Sequence, residues 1–117
     1  MNIEIRRNWE FSSEILPGVV IKLRYLTVAE LDECWIIKKT DGKPTFDVDM
    51  RKMVGYAVTK IEGLNVVDEK KKSTKIESIE ALLNTPGLTD LYYEIYKEVV
   101  TNNARVDSKN LPSPSDT

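Results

Sequence analysis

Residues 45–64 constrain the fold most, because their apolar members recur at the spacing of an α-helix. Those members lie at offsets 0, 4, 7, 8, 11 and 15, and they are Phe46, Met50, Met53, Val54, Ala57 and Ile61. This spacing forms one apolar stripe on a helix and fits no strand. Thr45 or Asp47 can cap the start, and Gly63 suits the left-handed conformation that ends a helix. The sequence therefore predicts a central helix whose wide stripe needs partners on more than one side.

The residues before this helix indicate short antiparallel strands. Polar and apolar residues alternate over residues 8–12 and again over residues 19–25, where Lys22 and Arg24 lie on the polar face. The Pro-Gly sequence between the two segments is a turn signal. A strand with one polar face favours antiparallel pairing with one side in water. An N-terminal β-hairpin or small meander is therefore predicted.

Three further helices are expected. Thr27 and Glu30 have the spacing of a capping box and open a helix that extends to about Lys39. Residues 65–75 predict an exposed loop or loose hairpin, and a short helix follows from about Ser78. A Thr-Pro-Gly sequence separates it from a last helix with its own apolar stripe.

These elements define the predicted fold class, which is α+β. An N-terminal antiparallel β-hairpin or small meander is followed by about four α-helices in a single domain over residues 1–101. A chain of 117 residues is long enough for one core and too short for two ordinary domains. Residues 102–117 are polar, contain Pro112 and Pro114 and have little to bury, so they are predicted to be a flexible tail.

The ionisable residues argue against several classes of function. Seventeen basic and nineteen acidic residues give a net charge of −2, so no global positive field attracts nucleic acid or an anionic membrane. The chain has no histidine, which is the commonest general base and transition-metal ligand. Cys34 is the single cysteine, so neither an intrachain disulfide nor a cysteine zinc site can form. We therefore expect no enzyme activity, no cofactor and no bound metal.

Two charged clusters have simpler explanations than a binding site. Asp41, Asp47 and Asp49 lie close together, but neither Asp41 nor Asp47 begins the glycine and glutamate spacing of an EF-hand loop. Helix capping explains them better. The three lysines at residues 70–72 have acidic flanks and no aromatic residues between them, which favours a solvated loop over nucleic-acid contact.

The N-terminal residues do not form a targeting signal. They are charged from Glu4 onward and contain no apolar h-region. The longest apolar run, residues 34–37, is far too short to span a bilayer. We therefore expect a cytoplasmic protein that makes no membrane contact.

The residues best suited to partner binding are methionines and tyrosines on two of the predicted helices. They are Met50, Met53, Tyr92, Tyr93 and Tyr96. Methionine adapts to irregular partners, and tyrosine offers rigid contact area with a polar tip. The alternative is that the methionines belong to the core and that two of the tyrosines also face it. Three tyrosines within five helical residues cannot all point the same way.

Three stretches, taken in this order, resemble the small tail assembly chaperones of long-tailed bacteriophages and prophages. They are VIKLRYLTVAELDE, VTKIEGL and SIEALLNTPGLTDLYYEIYKEV. The chaperones share an "LR.LT.AE" strand-to-helix start, an "IEGL" helix end and an "LLNTPGL" pair of helices. The resemblance covers roughly residues 19–100.

The resemblance implies a non-enzymatic protein that binds the long helical tape-measure protein and keeps it soluble while tail-tube subunits assemble. The tail-tube protein is a second candidate partner, and self-association into a homo-oligomer stays open. A different small phage structural protein, such as a tail completion or head-tail connector component, is the alternative. A regulatory binding module that contacts nucleic acid is a third reading, which the acidic isoelectric point disfavours.

Overall fold

The computed structural model describes residues 1–103, in which seven strands form three small antiparallel sheets beside four helices. The elements in chain order are β1 (Asn8–Ser12), β2 (Val20–Arg24), α1 (Val28–Glu33), β3 (Trp35–Thr40), β4 (Lys43–Val48), α2 (Met50–Ala57), β5 (Val58–Glu62), β6 (Asn65–Val67), β7 (Ser73–Lys75), α3 (Ile79–Leu83) and α4 (Thr89–Asn102). None of these helices is both long and apolar enough to cross a membrane.

The central sheet has the order β1-β2-β5, and both of its strand pairs are antiparallel. In β2, Ile21 and Leu23 are buried while the residues between and beside them are half-exposed, as the alternation in the sequence requires. Ile21 lies opposite Ile61 of β5, and an irregularity after Lys22 shifts the register of this pair. The buried face of this sheet forms one side of the core.

Helices α2 and α4 supply most of the other side of the core. Helix α2 buries Met53, Val54 and Ala57, and α4 buries Leu91, Ile95 and Val99 at the helical spacing of three and four residues. Each large apolar side chain that is fully covered contributes about 1.5–3 kcal/mol to stability. Packing of this kind, rather than helix propensity, holds short helices such as α2 in place.

The predicted fold, an α+β domain in which an N-terminal hairpin or meander is followed by about four helices, is wrong. The β1–β2 pair is present, but the chain then alternates between helices and strands. Residues 45–64 do not form one helix: they contribute to β4, to the eight-residue α2 and to β5. Asp49 rather than Thr45 or Asp47 is the N-cap of α2, and its side chain accepts a hydrogen bond from the N–H of Lys52.

The helix predicted from Thr27 to about Lys39 is also shorter than expected. The capping box is confirmed, because Thr27 and Glu30 exchange both of its hydrogen bonds. The helix then ends at Glu33, and the chain enters β3, which pairs with β4 through a turn at Asp41 and Gly42. Both turn residues have positive φ, 54° and 77°, as a tight hairpin turn requires.

The C-terminal end of α4 is joined to the segment that follows β2. Helix α4 ends at Asn102, and the side-chain oxygen of Asn103 accepts a hydrogen bond from the N–H of Leu26 at 3.0 Å. Residues 104–117, which make up most of the predicted flexible tail, lie outside the described residues.

Candidate interaction surfaces

The β3–β4 hairpin presents an apolar face to solvent. Trp35 and Ile37 of β3 lie opposite Val48 and Phe46 of β4, so all four share one side of the hairpin. Trp35 is 53% exposed, Ile37 64% and Phe46 68%, whereas Val48 packs partly against the core. We call Trp35, Ile37 and Phe46 the hairpin face. Large apolar side chains are seldom exposed together on a protein that has no partner.

The opposite side of the hairpin is mainly polar and internally bonded. Lys38 forms an ion pair with Asp47 at 3.6 Å, and the hydroxyl of Thr45 donates to the backbone oxygen of Lys38 at 3.0 Å. Ile36 is also on this side and is less exposed than the members of the hairpin face. The two sides of the hairpin therefore differ strongly in chemistry.

The base of the hairpin is fixed to the core by Cys34. Its side chain is 1% exposed, and burial raises the pKa of its thiol. Its backbone oxygen accepts a hydrogen bond from the N–H of Asp49 at 2.7 Å, which closes the hairpin at the point where α2 begins. Cys34 acts here as a small buried apolar residue.

A network of charged and aromatic side chains holds α1 beside this base. Arg24 donates two hydrogen bonds to Glu30, at 2.9 and 2.6 Å, and its guanidinium lies 5.9 Å from the centre of the Tyr56 ring. The hydroxyl of Tyr56 donates to Glu33, which raises the pKa of Tyr56. Hydrogen bonds from Arg24 and from the backbone N–H of Thr27 hold the pKa of Glu30 at about 2. Every member has a structural partner, so the network positions α1.

A second candidate surface is a shallow groove along α4. Two adjoining depressions of about 470 and 370 Å³ share Glu14, Glu94 and Lys97, and together they run from Asp90 to Thr101. We call this the α4 groove. Its apolar walls are Ile15 and Tyr93, which are 47% and 53% exposed, and the half-buried Phe11.

The rim of the α4 groove is predominantly acidic. Glu14, Asp90, Glu94 and Glu98 lie along it, against the single cation Lys97. Glu94 accepts hydrogen bonds from the hydroxyl of Ser13 and the N–H of Glu14. These bonds fix the wall that carries Ile15 relative to α4, so the groove is formed before any partner arrives.

The five residues predicted for partner binding are buried to different extents. Met53 is 6% exposed and belongs to the core, while Met50, Tyr92 and Tyr96 are half-buried against it. Burial raises the pKa of Tyr92. Tyr93 is exposed, and its ring centre lies 5.7 Å from that of Tyr92. Among the five, Tyr93 therefore offers the most accessible side chain.

Groups that could hold a metal are not found in the part of the chain that the structure describes: no three histidine, cysteine, aspartate or glutamate side chains converge there. The acidic side chains of the α4 groove serve as a charged rim and as hydrogen-bond acceptors. Both surfaces can bury apolar area against a partner, and the α4 groove can also attract basic groups.

Comparison with known proteins leaves the family open. No family model, no curated protein and no solved structure matches this chain. The likeness to tail assembly chaperones therefore rests on the three stretches of sequence alone.

Both surfaces contain residues that the sequence analysis missed. The predicted helices include Trp35, Ile37 and Phe46, and no prediction covers Ile15. The signal for the hairpin was present, since an Asp-Gly pair flanked by β-branched and aromatic residues favours a two-residue hairpin turn. Ile15 had no comparable signal, because its position beside α4 depends on tertiary packing.

Proposed function

We propose that this chain is a non-enzymatic tail assembly chaperone of a phage or prophage. It acts in the cytoplasm of the bacterial host, where it binds the tape-measure protein and keeps that protein soluble during tail-tube assembly. The α4 groove is the observation that carries this proposal, and the three stretches of sequence described above give it a family.

The dimensions of the α4 groove suit a helix. Residues 90–101 of α4 cover about 17 Å at a rise of 1.5 Å per residue, which equals about three helical turns. A helix of that length presents apolar residues at i, i+3 or i+4, and i+7. Ile15, Tyr93 and Phe11 provide apolar contacts along the groove for such a stripe. Recognition of a helix in a groove of this kind is a common mode of peptide binding.

The acidic rim selects the polar residues of that helix. Four carboxylates and one ammonium border the groove, so the favoured client carries lysine or arginine beside its apolar stripe. Charges at a solvent-exposed rim act mainly on the association rate and are screened by salt. Binding should therefore weaken, without disappearing, when the salt concentration rises from about 0.1 to about 0.5 M.

Co-expression of the full chain with the tape-measure protein from the same gene cluster tests the proposal. The chain should increase the soluble fraction of the tape-measure protein, and Tyr93→Asp should remove most of that increase. Val67→Asp is the matched control, because Val67 is 62% exposed in β6 and contributes no side chain to the α4 groove. Thermal melts should show both variants folded, since each replaces an exposed side chain.

Equal precipitation of the tape-measure protein with and without this chain would contradict the proposal. A role as a tail completion or connector component would then be the better explanation. Equal effects of Tyr93→Asp and Val67→Asp would keep a chaperone role but remove the α4 groove as its site.

A further inference from the structure

The β3–β4 hairpin is poorly supported by the rest of its own chain. Within residues 1–103, β3 and β4 pair with each other and with no third strand. The main further contact of the hairpin is between β3 and α1. Isolated two-stranded hairpins are at best marginally stable in water, and a stable one needs another layer over its apolar face.

We propose that the hairpin face is the contact through which two copies of this chain associate. The two hairpins pack face to face about a twofold axis, so that the tip of each hairpin lies over the base of the other. We call this the antiparallel arrangement. Each copy then covers Trp35, Ile37 and Phe46 of the other. This inference uses a different surface from the α4 groove and does not depend on the function proposed above.

The exposed area of the hairpin face matches a weak dimer. Aromatic side chains bury about 150–250 Å² each when fully covered. With Trp35, Ile37 and Phe46 each more than half exposed, the face offers roughly 400 Å² per copy, or roughly 800 Å² in a pair. Stable interfaces begin at about 1,200 Å² in total, and the exposed Pro44 and Lys39 on the same side can supply the remainder. A weak dimer that dissociates on dilution is therefore expected.

The charges of the hairpin favour the antiparallel arrangement. At the tip, Lys39 lies on the side of the hairpin face and Lys43 on the other side, with Asp41 between them in the chain, while Asp32 and Glu33 immediately precede the base. Glu33 also lies 3.9 Å from the ammonium of Lys52, so its charge is partly compensated. In the antiparallel arrangement each basic tip lies over the acidic base of the other copy. A parallel arrangement would bring the two basic tips together, which is repulsive.

A matched pair of substitutions on opposite sides of β3 tests the contact. Analytical ultracentrifugation of the full chain should show the mass rising from 13.4 kDa toward twice that value over about 1–500 µM protein. Ile37→Lys should raise the dissociation constant at least tenfold. Ile36→Lys should leave it within about twofold, because Ile36 lies on the other side of the hairpin, opposite Asp47. Far-UV circular dichroism checks that both variants remain folded.

Cross-linking gives a readout that does not require loss of binding. Ile37 and Phe46 form a middle pair of the hairpin, so the two copies of residue 37 lie closest to the twofold axis. A short bismaleimide, which couples two thiols through a spacer, should cross-link Ile37→Cys, because the two copies of residue 37 face each other across the gap of about 10 Å between the packed sheets. It should not cross-link Lys39→Cys, because in the antiparallel arrangement its two copies are also displaced by about 13 Å along the strands. Cys34 is buried and should not react.

The outcomes separate the alternatives. A monomer at every concentration, without cross-linking of Ile37→Cys, would refute the dimer. Efficient cross-linking of Lys39→Cys would refute the antiparallel arrangement. Loss of tape-measure solubilisation by Ile37→Lys, with the chain monomeric throughout, would show that the hairpin face binds the client instead.

Discussion

Replacing Gly63 by alanine should destabilise the protein more than replacing any other glycine that has positive φ. Gly63 follows β5 with a φ of +80°, and a Cβ placed there would lie 2.3 Å from the backbone oxygen of Gly18. Cβ atoms essentially never approach another atom within 3.0 Å, so the end of β5 and the turn before β2 would have to separate by at least about 0.7 Å. The contact is between two backbone segments, and no side chain can rotate away to relieve it.

The turn around Gly18 has little freedom to move. Val19 is 3% exposed, its N–H donates to the oxygen of Leu16, and its own oxygen accepts from Ser13 at 2.8 Å. Alanine at a left-handed position costs about 1–2 kcal/mol, and a forced steric contact in a packed region adds about 1–3 kcal/mol. Gly63→Ala should therefore lower the free energy of unfolding by about 2–5 kcal/mol.

Gly87→Ala is the matched control for this prediction. Gly87 has a φ of +89°, but no atom lies within 4 Å of a Cβ placed there. Gly87→Ala should therefore lower the free energy of unfolding only by the cost of the left-handed conformation, about 1–2 kcal/mol. Urea unfolding of the two variants, followed by circular dichroism, measures the difference. Equal losses of stability within about 0.5 kcal/mol would refute the close approach of Gly63 to Gly18.

Two further predictions concern α2 and α1. Gly55→Ala should raise the free energy of unfolding by about 0.5–1 kcal/mol in urea unfolding, because Gly55 is helical, exposed and has open space for a Cβ. The low pKa of Glu30 means that its contribution to stability is present above about pH 4.5 and is lost as the pH falls toward 2. Glu30→Gln should therefore cost about 1 kcal/mol at pH 7 after solvent screening and much less at pH 2, where about half of the Glu30 carboxylates are protonated in the folded protein; equal costs at both pH values would contradict this.

Elements with strong local signals were predictable from the sequence. The β1–β2 pair has clear alternation on both sides of its turn, and the capping box of α1 depends on two residues three positions apart. Helix α4 buries Leu91, Ile95 and Val99 on one face, and its 14 residues are long enough for the period to be unambiguous. In each case the local preference agrees with the tertiary structure.

The prediction of one helix over residues 45–64 was wrong because the apolar residues at helical spacing belong to three different elements. Phe46 is on the exposed face of β4, Met53 is on the buried face of α2, and Ile61 is a buried residue of β5. Residues of short successive elements can fall at helical offsets by coincidence. The pairing of β5 with β2, about 40 residues earlier in the chain, decides the structure of residues 58–62, and no local window contains that information.

The candidate surfaces were harder to predict than the elements. Methionine and tyrosine both indicate contact area for a partner, but Met53 is buried in the core whereas Tyr93 is exposed. Exposure depends on which face of α2 and α4 meets the sheet. The hairpin face could have been predicted from the Asp-Gly turn, whereas the α4 groove requires knowing that residues 13–15 lie against α4.

The hydrogen bonds that join the N-terminal residues to α4 determine when the protein can fold during synthesis. Trp9 donates to Glu98, Ser13 donates to Glu94, and Leu26 donates to Asn103, across 89, 81 and 77 positions of the chain. The part of the core that α4 covers therefore stays open until α4 has left the ribosome, and contacts of such high sequence separation slow folding. During that interval the nascent chain exposes its apolar sheet face and is itself at risk of aggregation.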